Sequence, residues 1–334
     1  MLYTLIHVFK RYWKRMIWTV LILFLLLIGG FIVYAELAMP YMPIVPARQT
    51  STVLPSEFGL QYEPLDVEAD TNLILRGYFV HALTEPKATI ILLHGIGSNK
   101  ENWLGYAHLL AQNGFNSVVY DQRAHGKSGG KFCTFGFYEK FDVSKIVDTL
   151  IRRKHFLPIG IQGASLGGAV ALQALGYDKR LSFGIVESTF NTLENVIEEY
   201  GYDYFKFRSR WLARHILSKS ALIARFHPFE VKPVDACRDI QQPILMVHGD
   251  ADEKIPMGFN RDNFAALNST DKEFFVVQGA GHDNVGEIGG EKYRQKIFGF
   301  LNRIVKGPLS IGPKKRVKKF QKFQKLRKFF KKRS

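Results

Sequence analysis

A serine lies between glycines where a predicted strand meets a predicted helix. Residues 163–167 read Gly-Ala-Ser-Leu-Gly, after an apolar β-rich run at 159–162 and before a segment rich in Ala and Leu. A serine at such a sharp strand-to-helix turn presents its hydroxyl for attack on a carbonyl, and small flanking residues let the backbone turn tightly beside the substrate. Ser165 is therefore the predicted nucleophile.

A serine hydroxyl needs a neighbouring base and a carboxylate that orients the base. His282 lies in the glycine-rich loop 279–283, after a late predicted strand and before the last predicted helix, and is the predicted general base. Two carboxylates follow the preceding strand. Asp252 lies deeper in its loop and is the predicted acid, whereas Asp250 follows the strand's last glycine and is better suited to holding the turn.

The negative charge that develops on the carbonyl oxygen needs preorganised N–H donors. The amide of Leu166, directly after the nucleophile, is the first predicted donor. The run His-Gly-Ile-Gly at 94–97 follows an earlier predicted strand, and its Ile96 amide is the second, with His94 as a structural hydrogen-bonding residue. This chemistry is acyl transfer to water and calls for no metal or organic cofactor.

These residues need a scaffold of alternating strands and helices. Apolar β-rich runs occur at 89–94, 117–120, 159–162, 183–187, 244–247 and 274–277. Helical segments fit between or after them at 101–113, 137–153, 166–176, 258–268 and 291–304. This order predicts an α/β fold with a mostly parallel central sheet and helices on both faces, and runs near 59–64 and 72–80 predict antiparallel edge strands.

Together these motifs resemble the α/β-hydrolase superfamily over residues 59–305, and within it the monoacylglycerol-lipase and serine-aminopeptidase-like hydrolases. The run Asp-Gln-Arg-Ala-His-Gly-Lys-Ser at 121–128 is similar to a block of that family, with Ala124 in place of the usual Gly, and the resemblance implies a structural role for His125. The family's His-Gly-x-x-Asp block carries the acid at its fifth position, which falls on Asp252.

A longer insertion at about 190–229 interrupts the alternation, where the resembling family carries its lid. Its aromatic residues include Tyr200, Tyr202, Tyr204, Phe205, Phe207 and Trp211. We predict a short helical lid. The alternative is that these aromatics cover the flank of the sheet.

An apolar segment precedes the hydrolase-like region. Residues 16–34 contain no charge and match the ~20 residues that cross a bilayer. A transmembrane helix is predicted. The alternative is a cleaved signal peptide, whose apolar region is usually shorter than this one. The basic residues in 1–15, against one acid just after the helix, predict a cytoplasmic N-terminus and an exocytoplasmic catalytic domain. The proline-containing stretch 35–58 is interpreted as a semi-rigid spacer.

The net charge of +16 is concentrated at the two ends. Residues 313–334 hold nine Lys and three Arg without an acid, and 1–15 hold four basic residues without an acid, so 16–312 is balanced. The tail 306–334 is predicted to contact anionic lipid. Nucleic acid is the disfavoured rival partner, and a merely solvated tail is the plain alternative. Two cysteines, Cys133 and Cys237, leave open whether they pair.

The expected function is hydrolysis of a small-molecule or lipid-like ester by a membrane-anchored serine hydrolase. A serine peptidase of the aminopeptidase-like type is one alternative, because one fold serves many reactions. A non-catalytic membrane scaffold with a hydrolase fold is another, and the complete set of serine, acid and histidine argues against it.

Overall fold

The centre of the molecule is one eight-stranded sheet. The computed structural model describes residues 2–155 and 157–305, so the basic tail lies outside the described residues. The strands are β1 Tyr62–Asp70, β2 Leu73–Val80, β3 Ala88–Leu93, β4 Phe115–Tyr120, β5 Ile159–Ala164, β6 Leu181–Glu187, β7 Ile244–Gly249 and β8 Lys272–Val277. Their spatial order is β1-β2-β4-β3-β5-β6-β7-β8, with β1 and β2 antiparallel and the other six parallel.

Helices cover both faces of the sheet. They are α3 Leu104–Gln112, α4 Glu139–Arg152, α5 Leu166–Tyr177, α8 Pro233–Cys237, α9 Met257–Ala266 and α10 Val285–Val305. Alternate residues of a strand point to opposite faces: Ile91 joins the core under α4 and α5, while Ile90 joins the core under α3 and α10. Because both sides are buried, the central strands consist of continuous apolar runs. The predicted fold class is confirmed.

The first edge strand differs from its predicted position. It occupies Tyr62–Asp70 rather than 59–64, while Pro55–Phe58 forms a 3-10 turn that Gly59 ends in a left-handed conformation. Leu65 and Val67 are the buried members of this strand, and the residues between and around them are exposed. The alternation of one buried face was therefore present in the sequence, a few residues later than the predicted strand.

A 36-residue helix, α1 Leu2–Leu37, leads into the domain, and a short helix, α2 Tyr41–Ile44, follows it. Among the described residues, this N-terminal region holds the one helix that is long and apolar enough to cross a membrane. The side chains of the apolar segment 16–34 lie on the surface of the molecule. They therefore make no contribution to the core of the domain.

The interpretation of 35–58 as a spacer requires correction. The first residues continue α1 to Leu37, and Ile44 is fully buried in the main core. The Cys133 amide donates to the Ile44 carbonyl at 2.8 Å, and the Arg48 guanidinium donates to the Ser128 carbonyl at 2.7 Å. Apolar residues next to the prolines supplied enough burial to dock the segment, so it is part of the domain rather than a linker.

The insertion at 190–229, which follows β6, includes the helices α6 Leu193–Phe205 and α7 Arg210–Ala224. Thr192 and Ser209 cap their N-termini with side-chain oxygens. The aromatic residues of this helical insertion divide in a way that neither prediction anticipated. Tyr200 packs on the main core and Phe205 packs beside the end of α1, whereas most of the others are exposed.

Candidate active site

Ser165 occupies a strained turn between β5 and α5. Its φ is +57° and its ψ is −121°, a conformation that non-glycine residues rarely adopt. The glycines on either side are sterically required, because a Cβ on Gly163 would lie 2.1 Å from the Gly167 carbonyl oxygen, and one on Gly167 would lie 2.2 Å from the Leu93 carbonyl oxygen. The turn therefore brings the chain close to β3 and leaves the serine at the carboxyl edge of the sheet.

The structure brings the three predicted catalytic side chains together in one hydrogen-bonded row. The Nε2 atom of His282 lies 3.0 Å from Ser165 Oγ, and its Nδ1 atom lies 2.8 Å from Asp252 Oδ2. The residues come from three separate loops, after β5, β7 and β8. Parallel strands end at a common edge, so loops far apart in sequence converge there.

Asp252 is held in its orientation by its own loop. Its Oδ1 accepts hydrogen bonds from the amides of Lys254, at 3.0 Å, and Ile255, at 2.9 Å, and its side chain is fully buried. Burial by itself opposes ionisation, but hydrogen bonds from His248 and His282 outweigh it and hold the pKa of Asp252 well below its usual range. The acid is therefore a carboxylate at neutral pH.

Asp250 has a different function in the same loop. Its Oδ1 accepts a hydrogen bond from the Gly279 amide at 2.6 Å, and its side chain lies at the surface. This contact ties the loop after β7 to the loop that carries His282. A second tie joins the same loops, because Lys254 Nζ lies 2.6 Å from Asp283 Oδ2. Asp250 does not contact the imidazole.

His248 is a site residue that the sequence analysis did not single out. It is fully buried at the end of β7, and its Nε2 lies 3.0 Å from the Ile255 carbonyl oxygen and 3.3 Å from Asp252 Oδ2. A carbonyl only accepts, so Nε2 carries the proton and donates to both oxygens. Its Nδ1 has no hydrogen-bond partner. The available signal was a histidine at a strand end, four residues before the acid.

The two predicted oxyanion donors flank the serine. Leu166 is the first residue of α5, where the helix leaves its first amides without internal partners. On the other side, a Cβ on Gly95 would lie 3.6 Å from the Ser165 Cβ, so the loop that carries Ile96 passes directly beside Ser165. Both backbone segments thus lie next to Ser165.

His94 fixes the end of β3 from which that loop departs. Its Nε2 accepts from the Gln122 amide at 3.0 Å and its Nδ1 donates to the Gly95 carbonyl at 2.8 Å. Burial, reinforced by the neighbouring His125, lowers the pKa of His94 to about 3. The ring is neutral, and both of its nitrogens are engaged by the backbone, which suits a structural role.

A buried ion pair connects the loop after β4 to the segment that follows β3. Lys100 Nζ lies 2.8 Å from Asp121 Oδ2, and both side chains are almost wholly buried. Asp121 also accepts from the Lys127 amide at 2.9 Å. Ala124, the departure from the family block, has a φ of +63°. Glycine adopts a positive φ without strain, whereas alanine is slightly strained there, and the surrounding hydrogen bonds hold Ala124 in this conformation.

Neither cysteine is placed for chemistry. Cys133 and Cys237 are free and buried, and burial raises the pKa of both thiols. Among the residues that the structure describes, no group of three or more His, Cys, Asp or Glu side chains is arranged to hold a metal ion.

Comparison with known proteins finds hydrolases of similar fold. Residues 84–221 match the family model Hydrolase_4, described as serine aminopeptidase S33. The esterase Pf2001 of Pyrococcus furiosus has a similar structure, with a TM-score of 0.65 at 24% identity over 78% of this chain and 99% of the esterase. The chain has the α/β-hydrolase fold. From these similarities, the protein is a hydrolase of the esterase-, lipase- or peptidase-like kind.

Two curated relatives extend the similarity of this α/β-hydrolase. The uncharacterized protein YqkD of Bacillus subtilis is 28% identical over 260 residues, which cover 77% of this chain and 80% of the relative. Monoglyceride lipase of Mus musculus is 28% identical over 130 residues, covering 38% of this chain and 43% of the lipase. The first similarity spans most of the domain, and the second spans part of it.

Proposed function

We propose that this α/β-hydrolase is a membrane-anchored serine hydrolase that cleaves ester bonds through an acyl-enzyme on Ser165. The observation that carries the proposal is the row of contacts from Ser165 Oγ to His282 Nε2, at 3.0 Å, and from His282 Nδ1 to Asp252, at 2.8 Å. A nucleophile, a base and an orienting carboxylate within hydrogen-bond reach are the requirement for covalent catalysis by serine.

Each group has a defined task in the proposed reaction. Asp252 accepts a hydrogen bond from the Nδ1–H group of His282, and this tautomer leaves the Nε2 lone pair directed at the serine hydroxyl. His282 takes the hydroxyl proton as Ser165 Oγ attacks the ester carbonyl, and then delivers this proton to the departing alcohol. The amides of Ile96 and Leu166 stabilise the oxyanion. Water, deprotonated by the same imidazole, then releases the acid and restores the serine.

The membrane is the second part of the proposal. Residues 16–34 are about 28 Å long as a helix, close to the ~30 Å thickness of bilayer hydrocarbon. Their side chains are exposed and contribute nothing to the core of the domain. We therefore assign α1 as an anchor rather than a removed signal sequence. We assign the domain to the exocytoplasmic side because the basic residues in 1–15 precede the apolar segment. A site tethered near lipid favours lipid-like or acylated ester substrates.

Peptide-bond hydrolysis is the second candidate, because the matching family model is described as a serine aminopeptidase. The same three residues would attack an amide carbonyl, and His282 would protonate the amine that leaves. An esterase would cleave a short ester and leave an aminoacyl anilide almost untouched, whereas an enzyme adapted to peptides would cleave both. Comparing kcat/KM for these two substrates distinguishes the candidates.

The first test is reaction with a fluorophosphonate probe, which needs no knowledge of the substrate. Membranes containing the wild-type chain are labelled beside Ser165→Ala and His282→Ala, with Ser56→Ala and His227→Ala as controls at exposed positions. We expect labelling of the wild type and both controls, and its loss in both site variants. A folded wild type that does not react would contradict the proposal and favour the non-catalytic scaffold.

A further inference from the structure

The end of α1 is packed against the helical insertion formed by α6 and α7. The rings of Phe31 and Phe205 meet edge to face, with centroids 6.3 Å apart. One to two turns further along the chain, Ala35 and Met39 are buried against Leu212 and Ile216 of α7. The helix that we assign to the membrane therefore leaves it directly beside this insertion.

Polar contacts close the same junction. Glu36 lies 2.8 Å from His215 Nε2 and 2.7 Å from Lys219 Nζ, and Ser220 Oγ donates to the Pro40 carbonyl at 2.7 Å. Apolar and polar contacts act over two successive turns of α7. These contacts fix the orientation of the insertion relative to the anchor. They therefore also fix the position of the insertion's outer surface along the axis of α1.

That outer surface carries aromatic rings. We call Tyr204, Phe207 and Trp211 the aromatic rim. Tyr204 is 71% exposed and Trp211 is 74% exposed. The rim adjoins the anchor contact, because the rings of Phe205 and Phe207 are 6.0 Å apart and Trp211 stacks on His215 at 5.6 Å. These three exposed aromatics fall within eight residues of the chain, and clustered exposed apolar side chains mark a contact with a protein or a membrane.

The height of the rim follows from the contact between Phe31 and Phe205. Phe31 belongs to the uncharged segment 16–34, five residues before Glu36, so it lies about 7 Å deeper along the helix axis. A side chain that reaches Phe31 has therefore reached the edge of the hydrocarbon. Trp and Tyr concentrate at that level because an apolar ring and a polar atom are both satisfied there.

Basic side chains accompany the rim. Lys206 lies over the Tyr202 ring at 5.8 Å, and Arg208 lies over the same ring at 4.3 Å while pairing with Glu199. Cations beside interfacial aromatics suit anionic lipid headgroups. Aromatic rings with adjacent cations, at the height where an apolar helix ends, form the pattern of a surface that lies on a bilayer.

We propose that the aromatic rim binds the interface of the bilayer that α1 crosses, as a second membrane contact. This inference rests on the proposed anchor. The helical insertion begins beside the candidate site, since Thr189 Oγ1 donates to the Ser165 carbonyl at 2.8 Å and α6 starts four residues later. Contact between the rim and lipid would hold the site next to the membrane surface, where an acylated substrate arrives without crossing water.

The test measures the position of single spin labels on the full-length chain in vesicles of phosphatidylcholine and phosphatidylglycerol. Labels are attached at Tyr204→Cys in the rim, at Leu25→Cys in the middle of the apolar segment, and at Tyr177→Cys as a matched control. Tyr177 is 56% exposed at the end of α5. The two native thiols are buried and do not compete for the reagent. Accessibility to oxygen and to a water-soluble nickel chelate reports the depth of each label.

We expect the Leu25 label to be shielded from the nickel chelate, the Tyr177 label to be accessible, and the Tyr204 label to be at least several-fold less accessible than Tyr177. Adding Phe207→Ser and Trp211→Ser should expose the Tyr204 label and leave the Leu25 label shielded. A fully accessible Tyr204 label beside a shielded Leu25 label would overturn the rim and retain the anchor.

Two further results would also overturn the inference. An accessible Leu25 label would reject the anchor and, with it, the membrane contact of the rim. Protection of Tyr204 that disappears as the chain is diluted with lipid would instead indicate a second copy of the chain on this surface. Protection that persists on dilution supports the bilayer as the partner.

Discussion

Replacing each of two neighbouring aspartates tests which carboxylate serves the imidazole. In Asp252→Asn the amide oxygen stays where two backbone N–H groups need an acceptor, because Oδ1 is bonded to the amides of Lys254 and Ile255. The amide NH₂ then replaces Oδ2, which lies 2.8 Å from His282 Nδ1. Two donors cannot face each other, so the imidazole adopts the tautomer with its proton on Nε2.

That tautomer points a proton at Ser165 Oγ, 3.0 Å away, and has no lone pair to receive the hydroxyl proton. Loss of the base in this way costs about 10⁴-fold in rate in serine enzymes, or about 5.4 kcal/mol of transition-state stabilisation. In Asp250→Asn the Gly279 amide keeps an acceptor oxygen and no group near the imidazole changes. We expect a loss of less than about tenfold there, because a surface hydrogen bond contributes ~1 kcal/mol.

The assay is the second-order rate constant for fluorophosphonate labelling, together with kcat/KM for a short p-nitrophenyl ester. Thermal unfolding of both variants shows that the comparison is between folded proteins. Comparable losses in Asp250→Asn and Asp252→Asn, or an Asp252→Asn variant within tenfold of wild type, would refute the assignment of the acid.

Two further changes probe the turn and the support of the acid. In Gly167→Ala the new Cβ would lie 2.2 Å from the Leu93 carbonyl oxygen, so the free energy of unfolding in guanidinium should fall by about 3 kcal/mol or more. Gly299→Ala is the control, because this position on α10 has open space around it. There the free energy of unfolding should rise by up to about 1 kcal/mol. His248→Phe removes one donor from the carboxylate, and kcat/KM should fall about tenfold, as for a charged hydrogen bond of ~1.5 kcal/mol. The Asp252 carboxylate then becomes more basic and stabilises the His282 imidazolium. The acid limb of the kcat/KM profile should therefore move to higher pH. A loss of rate with an unmoved acid limb would indicate that His248 has a purely structural role.

Local patterns carried most of what was predicted about the site. The turn around Ser165 and the glycine-rich loop of His282 are specified by residues adjacent in the chain, and loops after parallel strands must converge at one edge. The choice of Asp252 over Asp250 also followed from position within one loop. The distances among these residues are what the structure adds, because they depend on how three strands are aligned in the sheet.

Contacts between distant segments were not predictable from such patterns. Within a single loop, the contact of His248 with Asp252 was not predictable either, because it depends on how the loop after β7 curls back to bring Ile255 and Asp252 over one ring. The junction of α1 with α7 joins residues about 180 positions apart, as in the bond from Ser220 to Pro40. In the sequence, the prolines of 35–58 suggested a linker, and nothing local indicated which distant surface Ile44 would enter.

The docking of residues 39–48 sets where a soluble version of this enzyme has to start. A chain cut at residue 59, the boundary suggested by the sequence, would empty the slot filled by Ile44, at a cost of about 2–5 kcal/mol. It would also remove Arg48, whose guanidinium holds the carbonyls of Gly126, Ser128 and Gly130. The folded domain therefore begins near Met39, only a few residues beyond the apolar segment, and a shortened chain should retain residues 39–48 to fold.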